Sequence, residues 1–102
     1  MKRSEINKII DYTIDKAEFF KIPLPPFAFY TLEDRKKVTC DEAEVVDNMP
    51  GWDITDFGTS DFEHVGLTVF TFRNGNFNLK DKYPKNYCEK LLFVRDGQIL
   101  PF

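Results

Sequence analysis

The 102-residue sequence predicts an α+β domain in which helices come first and strands follow. Residues 5–20 carry apolar side chains at a period of about 3.6 residues, as amphipathic helices do. Residues 65–73 and 91–94 are instead rich in valine, leucine and phenylalanine, and are expected to be strands. We expect a single domain or a partial domain, with a helical arm and proline-rich strap over residues 1–46 and strands over residues 47–102.

Composition argues against several classes of function. The net charge of −3 comes without a local cluster of lysine and arginine, so no nucleic-acid partner is expected. Polar residues interrupt the N-terminal stretch where a signal peptide needs an apolar core, and no apolar run is long enough to span a membrane. We therefore expect a cytoplasmic protein without a membrane partner. Cys40 and Cys88 lack a metal-binding spacing and are expected to be free thiols.

The first helix is expected to be capped by Ser4 and to end before Pro23, because proline disfavours helical geometry in the residue before it. Its period places Ile6, Ile10 and Phe20 on the face that packs against the sheet. The opposite face carries mixed charges, which are typical of a solvated surface.

Prolines are expected to hold residues 22–30 extended as a strap across a core. A proline-rich ligand for another protein is the alternative function for this segment. Thr31 and Asp34 have the spacing of a capping box, so residues 32–37 are expected to form a short helix. A second short helix is expected around residues 41–46.

Residues 47–58 contain several candidate functional side chains. Turns are predicted at Pro50-Gly51 and Gly58. Between these turns lie an aromatic side chain and two carboxylates: Trp52, Asp53 and Asp56. Carboxylates three residues apart can converge as ligands or as acid/base groups. The alternative is that they accept hydrogen bonds from nearby backbone N–H groups and cap turns, with the tryptophan in the core.

His64 is the single histidine of the sequence, so a metal site built from two or three imidazoles cannot be formed by this chain. We expect it at the surface or hydrogen-bonded rather than catalytic. The strand over residues 65–73 is followed by a turn signal, Asn74-Gly75, and then by a polar stretch over residues 76–86 that is expected to be an exposed loop.

The last segment, residues 87–102, is expected to form a hairpin. Residues 91–94 are an unbroken apolar run, which indicates a strand covered on both faces. Asp96-Gly97 supplies a turn, and residues 98–102 lead into a second strand. The sequence stops five residues after this glycine, so we expect the sheet to be unfinished and the chain to be part of a larger fold.

Several phrases of the sequence resemble the D-lyxose isomerase family of cupins. They are residues 1–7, 24–28, 47–49, 51–58, 66–68, 73–75 and 89–90. The phrase Gly-Trp-Asp-Ile-Thr-Asp-Phe-Gly at 51–58 is the most specific of them. The resemblance runs through all 102 residues and covers only the N-terminal portion of the family's chains.

This resemblance implies N-terminal helices followed by antiparallel strands of a cupin-type double-stranded β-helix, incomplete in this chain. It also implies a divalent metal such as manganese, a sugar substrate, and the aldose–ketose isomerisation of D-lyxose to D-xylulose. The first cupin metal motif has a glycine, five further residues and then His-x-His. Gly97 fits that glycine, so the first ligand is expected just after Phe102, and no metal is expected in this chain alone.

From the matched phrases, the resemblance makes Lys90 a candidate catalytic residue, which would bind or polarise a sugar hydroxyl. It makes Trp52, Asp53 and Asp56 candidates for substrate binding. The alternative for Lys90 is an exposed charge at the end of a strand.

Two functions stay open from the sequence. The chain is either the N-terminal portion of a metal-dependent isomerase, inactive without the C-terminal remainder, or a non-catalytic binding and assembly module derived from a cupin. Unpaired strand edges and exposed apolar side chains favour association. In both cases we therefore expect a homodimer or pairing with the missing C-terminal portion.

Overall fold

A computed structural model describes residues 1–37 and 43–101 and the elements within them. The α-helices are α1 (Arg3–Phe19), α2 (Leu32–Lys36) and α3 (Ala43–Asp47), and the strands are β1 (Gly51–Thr55), β2 (Leu67–Arg73) and β3 (Glu89–Phe93). Short 3-10 helices are formed by Pro26–Phe29 and Phe77–Leu79. The expected α+β class is confirmed.

None of the helices described is both long and apolar enough to cross a bilayer. Cys40 lies outside the described residues, whereas Cys88 is an exposed free thiol.

The three strands form one antiparallel sheet in the order β1-β2-β3, with β2 in the centre. The fold also divides into two compact units. The first consists of Met1–Leu24, Trp52–Val69 and Leu92–Phe102, and the second of Pro25–Gly51 and Phe70–Leu91.

Strand β2 follows its prediction closely, with a start two residues later than expected. Thr68, Phe70 and Thr71 are buried, and Phe70 is fully inaccessible to solvent. Strand β1 lies within residues 47–102, where strands were expected, but the sequence assigned only turns at Pro50-Gly51 and Gly58 and no individual strand between them. The residues Trp-Asp-Ile-Thr do alternate between apolar and polar, which is the strand period. The strand begins at Gly51 and ends before Gly58, so it lies between the two predicted turns and pairs with β2.

Helix α1 begins one residue earlier than its predicted cap. Lys2 is the N-cap, and its side chain makes no capping hydrogen bond. Ser4 lies within the helix, so the prediction that it caps α1 is wrong. The predicted end is confirmed, because the helix stops at Phe19, before Pro23.

The buried residues of α1 are not the ones that were predicted. They form a neighbouring stripe along the helix. Its buried residues are Ile9, Thr13 and Ala17. Ile6 and Ile10 are half-buried, and Phe20 is 65% exposed, so its predicted burial is wrong. Positions four residues apart lie above one another on a helix, and the buried set follows that spacing. Thr13 is accommodated because its Oγ1 donates a hydrogen bond of 2.7 Å to the Ile9 carbonyl.

The proline-rich strap is extended only in its first half. Residues 26–29 form a 3-10 helix instead, which starts on a proline and buries Ala28. In the second unit, the Phe27 ring stacks on Phe70 with 5.5 Å between centroids. This contact packs the half-buried Phe27 against strand β2.

The capping box is confirmed. The Thr31 backbone N–H donates to Asp34 Oδ2 over 2.9 Å, and the Asp34 N–H donates to Thr31 Oγ1 over 3.2 Å. Helix α2 follows directly, and the second predicted short helix is α3. The first two residues predicted for that helix, 41 and 42, lie outside the described residues.

The C-terminal hairpin does not form among the described residues. Leu92 in β3 and Val94 just after it are 52% and 47% exposed, so the prediction of a strand covered on both faces is wrong for this structure. The turn is confirmed, with Gly97 at a φ of 77°. Ile99 then forms a single parallel bridge with Val65 and does not pair with β3.

The buried side chain of Gln98 explains this path. Its Oε1 accepts a hydrogen bond from the Arg95 N–H, and its Nε2 donates to the Phe62 carbonyl. These two bonds turn the chain away from the β3 edge within the first unit.

Candidate functional site

The residues predicted from the sequence to act in a site are divided between the two units. Trp52, Asp53 and Asp56 belong to the first unit, and Lys90 belongs to the second. Trp52 lies on β1, half-buried, with its ring centroid 6.3 Å from that of Phe93. Asp53 is exposed on the same strand. The tryptophan therefore packs against an aromatic neighbour, and the carboxylate faces solvent.

Asp56 follows β1 and makes a turn. Its Oδ1 accepts a hydrogen bond of 2.9 Å from the Gly58 N–H, and Thr55 Oγ1 accepts one of 2.9 Å from the Phe57 N–H. Phe57 and Gly58 have positive φ values of 55° and 80°. The capping role that the sequence offered as an alternative is thus present at Asp56, which uses one carboxylate oxygen.

Lys90 is exposed on β3. The structure gives the Lys90 side chain no hydrogen bond or ion pair with another described residue. Its role at a sugar hydroxyl stays a prediction.

His64 is hydrogen-bonded at the surface, as expected. Its side chain is 71% exposed, and Nδ1 lies 2.9 Å from Asp61 Oδ1. That hydrogen bond, together with the negative charge of Asp61, raises the pKa of the imidazole. Within residues 1–37 and 43–101, no three histidine, cysteine, aspartate or glutamate side chains are grouped so that they can hold a metal ion. The donor set of the described residues therefore does not fit a catalytic divalent metal.

The structure does bring together polar side chains that the sequence did not single out. Asp47, at the end of α3, accepts hydrogen bonds at Oδ2 from the Tyr83 hydroxyl over 2.8 Å and from Lys82 Nζ over 3.2 Å. The tyrosine bond and then the lysine bond hold the pKa of Asp47 below its usual range. The bond to Asp47 raises the pKa of Lys82, and desolvation followed by the Asp47 bond raises that of Tyr83.

Amide side chains extend this cluster within the second unit. Asn48 Nδ2 donates to the Asn74 carbonyl and Asn74 Nδ2 donates to the Asn48 carbonyl, each over 3.1 Å. Asn76 Nδ2 donates to the Asn48 side-chain oxygen over 2.8 Å and to the Asp47 carbonyl over 3.0 Å. The segments 47–49 and 73–75 are thus joined by side-chain hydrogen bonds. The partners are 26 to 29 residues apart, so no local sequence pattern could have revealed them.

Arg35 anchors the chain where β1 begins. Its Nη1 donates to the Val45 carbonyl over 3.1 Å, and its Nη2 donates to the Pro50 carbonyl over 3.2 Å. Gly51 has a φ of 123°, and a Cβ atom there would lie 2.7 Å from Arg35 Nη2. Only glycine combines this backbone geometry with so close an approach. The phrase at 51–58 therefore starts on a glycine for a structural reason.

Comparison with known proteins identifies the family to which the chain belongs. The sequence model of one family, D-lyxose isomerase, matches residues 1–102. The chain belongs to the D-lyxose isomerase family. The resemblance carried by the seven phrases is confirmed by this match.

Two curated relatives within the family show how much of it the chain represents. The chain is similar to a D-lyxose/D-mannose isomerase of Escherichia coli O157:H7, with 41% identity over 102 residues. It is also similar to a D-lyxose/D-mannose isomerase of Serratia proteamaculans, with 39% identity over 102 residues. Each alignment covers 99% of this chain and 44% of the relative. The chain thus spans less than half the length of the curated relatives it matches.

Proposed function

We propose that this chain is the N-terminal portion of a metal-dependent aldose–ketose isomerase that interconverts D-lyxose and D-xylulose. The observation that carries the proposal is the family match along the whole chain, together with two relatives whose names specify D-lyxose/D-mannose isomerase. The second sugar in those names makes D-mannose the next substrate to test. In this proposal the helices and three strands are the first elements of a cupin-type double-stranded β-helix.

The reaction moves a hydrogen between C1 and C2 of the sugar, so it needs a base and stabilisation of negative charge on the enediolate oxygens. The exposed ammonium of Lys90 is assigned to donate a hydrogen bond to one of those oxygens. In the first unit, the exposed carboxylate of Asp53 is assigned to accept from a sugar hydroxyl. Trp52 points to the other face of β1 and is assigned to shape the site indirectly, by packing on Phe93. Asp56 Oδ1 accepts a hydrogen bond from the Gly58 N–H, so Oδ2 is the oxygen assigned to the substrate.

The family implies manganese or another divalent metal. The described residues do not supply its ligands, so no step of the reaction is assigned to a metal here. We propose that the ligands belong to the part of the relatives' length that this chain does not span. The 102-residue chain is then expected to be inactive alone.

A non-catalytic assembly module is the second candidate, and the exposed apolar side chains favour it. In the first unit they include Phe19, Phe20, Leu92 and Ile99, with exposures between 52% and 74%. Patches of this kind mark interaction surfaces on folded proteins. Under the isomerase proposal the same side chains are covered by the C-terminal remainder of the enzyme.

A chimera tests the isomerase proposal. Residues 1–102 of this chain are joined to the portion of the Escherichia coli relative that follows its matched segment, and the conversion of D-lyxose and D-mannose is measured with manganese present. We expect turnover from the chimera and none from the 102-residue chain. A folded, metal-loaded chimera that converts neither sugar contradicts the isomerase proposal and favours the assembly module.

Lys90 is tested in the same chimera. Lys90→Ala should lower kcat by at least about tenfold, or about 1.4 kcal/mol, while leaving the thermal midpoint unchanged. The matched control is Lys36→Ala, an exposed lysine of α2, which should leave both quantities unchanged. Equal turnover of the two variants would leave Lys90 as an exposed strand charge.

A further inference from the structure

We propose that a pocket in the second unit binds a small phosphorylated ligand that carries a planar aromatic ring, which is the chemistry of a mononucleotide. The pocket has a volume of about 500 Å³, within the range of about 300–1,000 Å³ that is typical of small-molecule sites. Residues 74–77 and 83–88 form its walls together with Lys80. All of them belong to the second unit, and Lys90 is not among them. The proposal does not depend on the isomerase reaction, since it concerns the binding of a different ligand.

The pocket is built on a surface loop whose two ends lie against each other. A Cβ atom at Gly75 would lie 3.2 Å from the Cα atom of Asn86, so the backbone at the start of the loop packs on the backbone at its end. We call residues 75–86 the closed loop. Compact surface loops with neighbouring ends frequently carry function. The loop is also tied to α3, because the Tyr83 hydroxyl donates to Asp47 Oδ2.

The Asn76 side chain orders the first half of the closed loop. Its Oδ1 accepts hydrogen bonds of 3.1 Å from the N–H groups of Asn78 and Leu79. Its Nδ2 donates to the side-chain oxygen of Asn48 over 2.8 Å, and Asn48 is buried. A wall that is already ordered loses little conformational entropy when a ligand binds, which favours the binding of a small ligand.

Aromatic side chains in the lining favour a planar ring in the ligand. Phe77 is 82% exposed and Tyr87 is 50% exposed, so both present aromatic surface to the pocket. Planar rings stack on such side chains, as the bases of nucleotides do. The ammonium group of Lys80 lies 3.9 Å from the centroid of the Phe77 ring. Positive charge therefore lies directly beside an aromatic surface, and a ligand with a negative group attached to a planar ring matches both.

The charges of the lining favour a phosphate as that negative group. Lys80 and Lys85 line the pocket, and none of the described residues that line it is an aspartate or glutamate. Asp81 lies between these lysines in the sequence but is not part of the lining, and Lys82 is paired with Asp47 over 3.2 Å. The Lys85 side chain has no hydrogen bond or ion pair with another described residue. Two ammonium groups match a phosphate monoester, whose charge at pH 7 is about −1.5 to −2.

The test is an NMR titration of the isotope-labelled 102-residue chain with adenosine 5′-monophosphate and with its two parts, adenosine and ribose 5-phosphate. Up to about 10 mM nucleotide, which mostly fills a site with a dissociation constant of about 1 mM, the amides of Phe77 and Lys80 should shift in a saturable way. Each part should bind at least about tenfold more weakly than the nucleotide, because adenosine lacks the phosphate and ribose 5-phosphate lacks the planar ring.

Variants separate the aromatic contribution from the charge contribution. Phe77→Leu should weaken nucleotide binding by about fivefold or more and leave its salt dependence unchanged, because it removes a ring on which a base stacks. Lys80→Gln and Lys85→Gln should each weaken binding by about threefold to fivefold and reduce its salt dependence, because each removes one exposed positive charge. The matched controls are the exposed residues Lys36 and Phe20, and Lys36→Gln and Phe20→Leu should leave the affinity unchanged.

Three results would overturn the pocket proposal: no saturable shift of the loop amides, equal affinity for the nucleotide and either of its parts, or equal affinity of wild type and the three pocket variants. The chimera should bind the nucleotide as tightly as the 102-residue chain does, and loss of binding there also overturns the pocket. An active chimera that does not bind the nucleotide leaves the isomerase proposal standing. Saturable binding by an inactive chimera supports the pocket and counts against the isomerase.

Discussion

The hydrogen bond from Tyr83 to Asp47 makes a pH-dependent prediction at the residue scale. Because the folded-state pKa of Asp47 lies below its ordinary value of 3.8, the stabilisation is fully present above that value and is lost as pH falls through the folded-state pKa. Tyr83→Phe removes the first cause of the shift, so the pKa of Asp47 should rise toward 3.8. The difference in unfolding free energy between wild type and variant should be largest at neutral pH and shrink in acid.

Denaturant titrations at several pH values, with NMR of the carboxyl carbons, check this expectation. The control is Tyr12→Phe, which removes a hydroxyl from an exposed tyrosine in α1 and keeps its ring beneath the Arg95 guanidinium. A stability difference for Tyr83→Phe that does not change with pH would mean that the bond does not act through the charge of Asp47.

The two positive-φ glycines at the ends of the 51–58 phrase separate backbone strain from steric contact. At Gly51, where φ is 123° and Arg35 is within 2.7 Å of a new Cβ, substitution by alanine should cost more than about 2 kcal/mol of stability. At Gly58, with φ of 80° and nothing within 4 Å, alanine should cost about 1 kcal/mol. Chemical denaturation measures both. Equal costs would show that the Arg35 contact adds nothing.

Residue-scale features were predictable where the partners are close in sequence. The Thr31–Asp34 capping box and the Asp56 turn involve separations of two or three residues, so the chain carries its own signal. The Asn48–Asn74 pair spans 26 residues and appears only after the chain has folded back. Side-chain amides of this kind leave no local pattern.

At the scale of the element, helix α1 offers a direct test of which face is core. Ile9 is 5% exposed, so Ile9→Ala should destabilise the chain by about 2–4 kcal/mol. Phe20 is 65% exposed, and Phe20→Ala should change stability by less than about 0.5 kcal/mol. Thermal or urea unfolding distinguishes them. If Phe20→Ala proves the costlier change, the face predicted by the sequence period is the correct one.

Elements differ in how far their sequences determined them. The 3.6-residue period predicted helix α1 and Pro23 predicted its end. Neither could predict which stripe of the helix is buried, because that depends on what packs against it. Strand β1 was not assigned individually because it is only five residues long and its pairing partner β2 comes later in the chain. The predicted second strand of the hairpin was lost to the bonds of Gln98 with Arg95 and Phe62.

At the scale of the whole molecule, exposed apolar side chains predict association. Phe19 is 74% exposed and Ile99 is 61% exposed in the isolated chain, and such surface is unfavourable in water. We expect the 102-residue chain to form dimers or larger species at micromolar concentration. In the chimera, the C-terminal portion of the relative should cover this surface and reduce exposure of apolar sites to a hydrophobic dye. Light scattering that finds a monodisperse monomer of the chain alone would contradict the first expectation.

The sequence by itself determined the α+β class, strands β2 and β3, the capping box, the turn at Gly97 and membership of the D-lyxose isomerase family. These rest on periodicity, short-range side-chain bonds and specific phrases, all of which are written along the chain. Only the tertiary structure decided the buried stripe of α1, the pairing of β1, and the hydrogen bonds that join Asp47 and Asn48 to residues 74–83. Those features depend on contacts between residues far apart in sequence, whose free energy exists only once the chain has closed on itself.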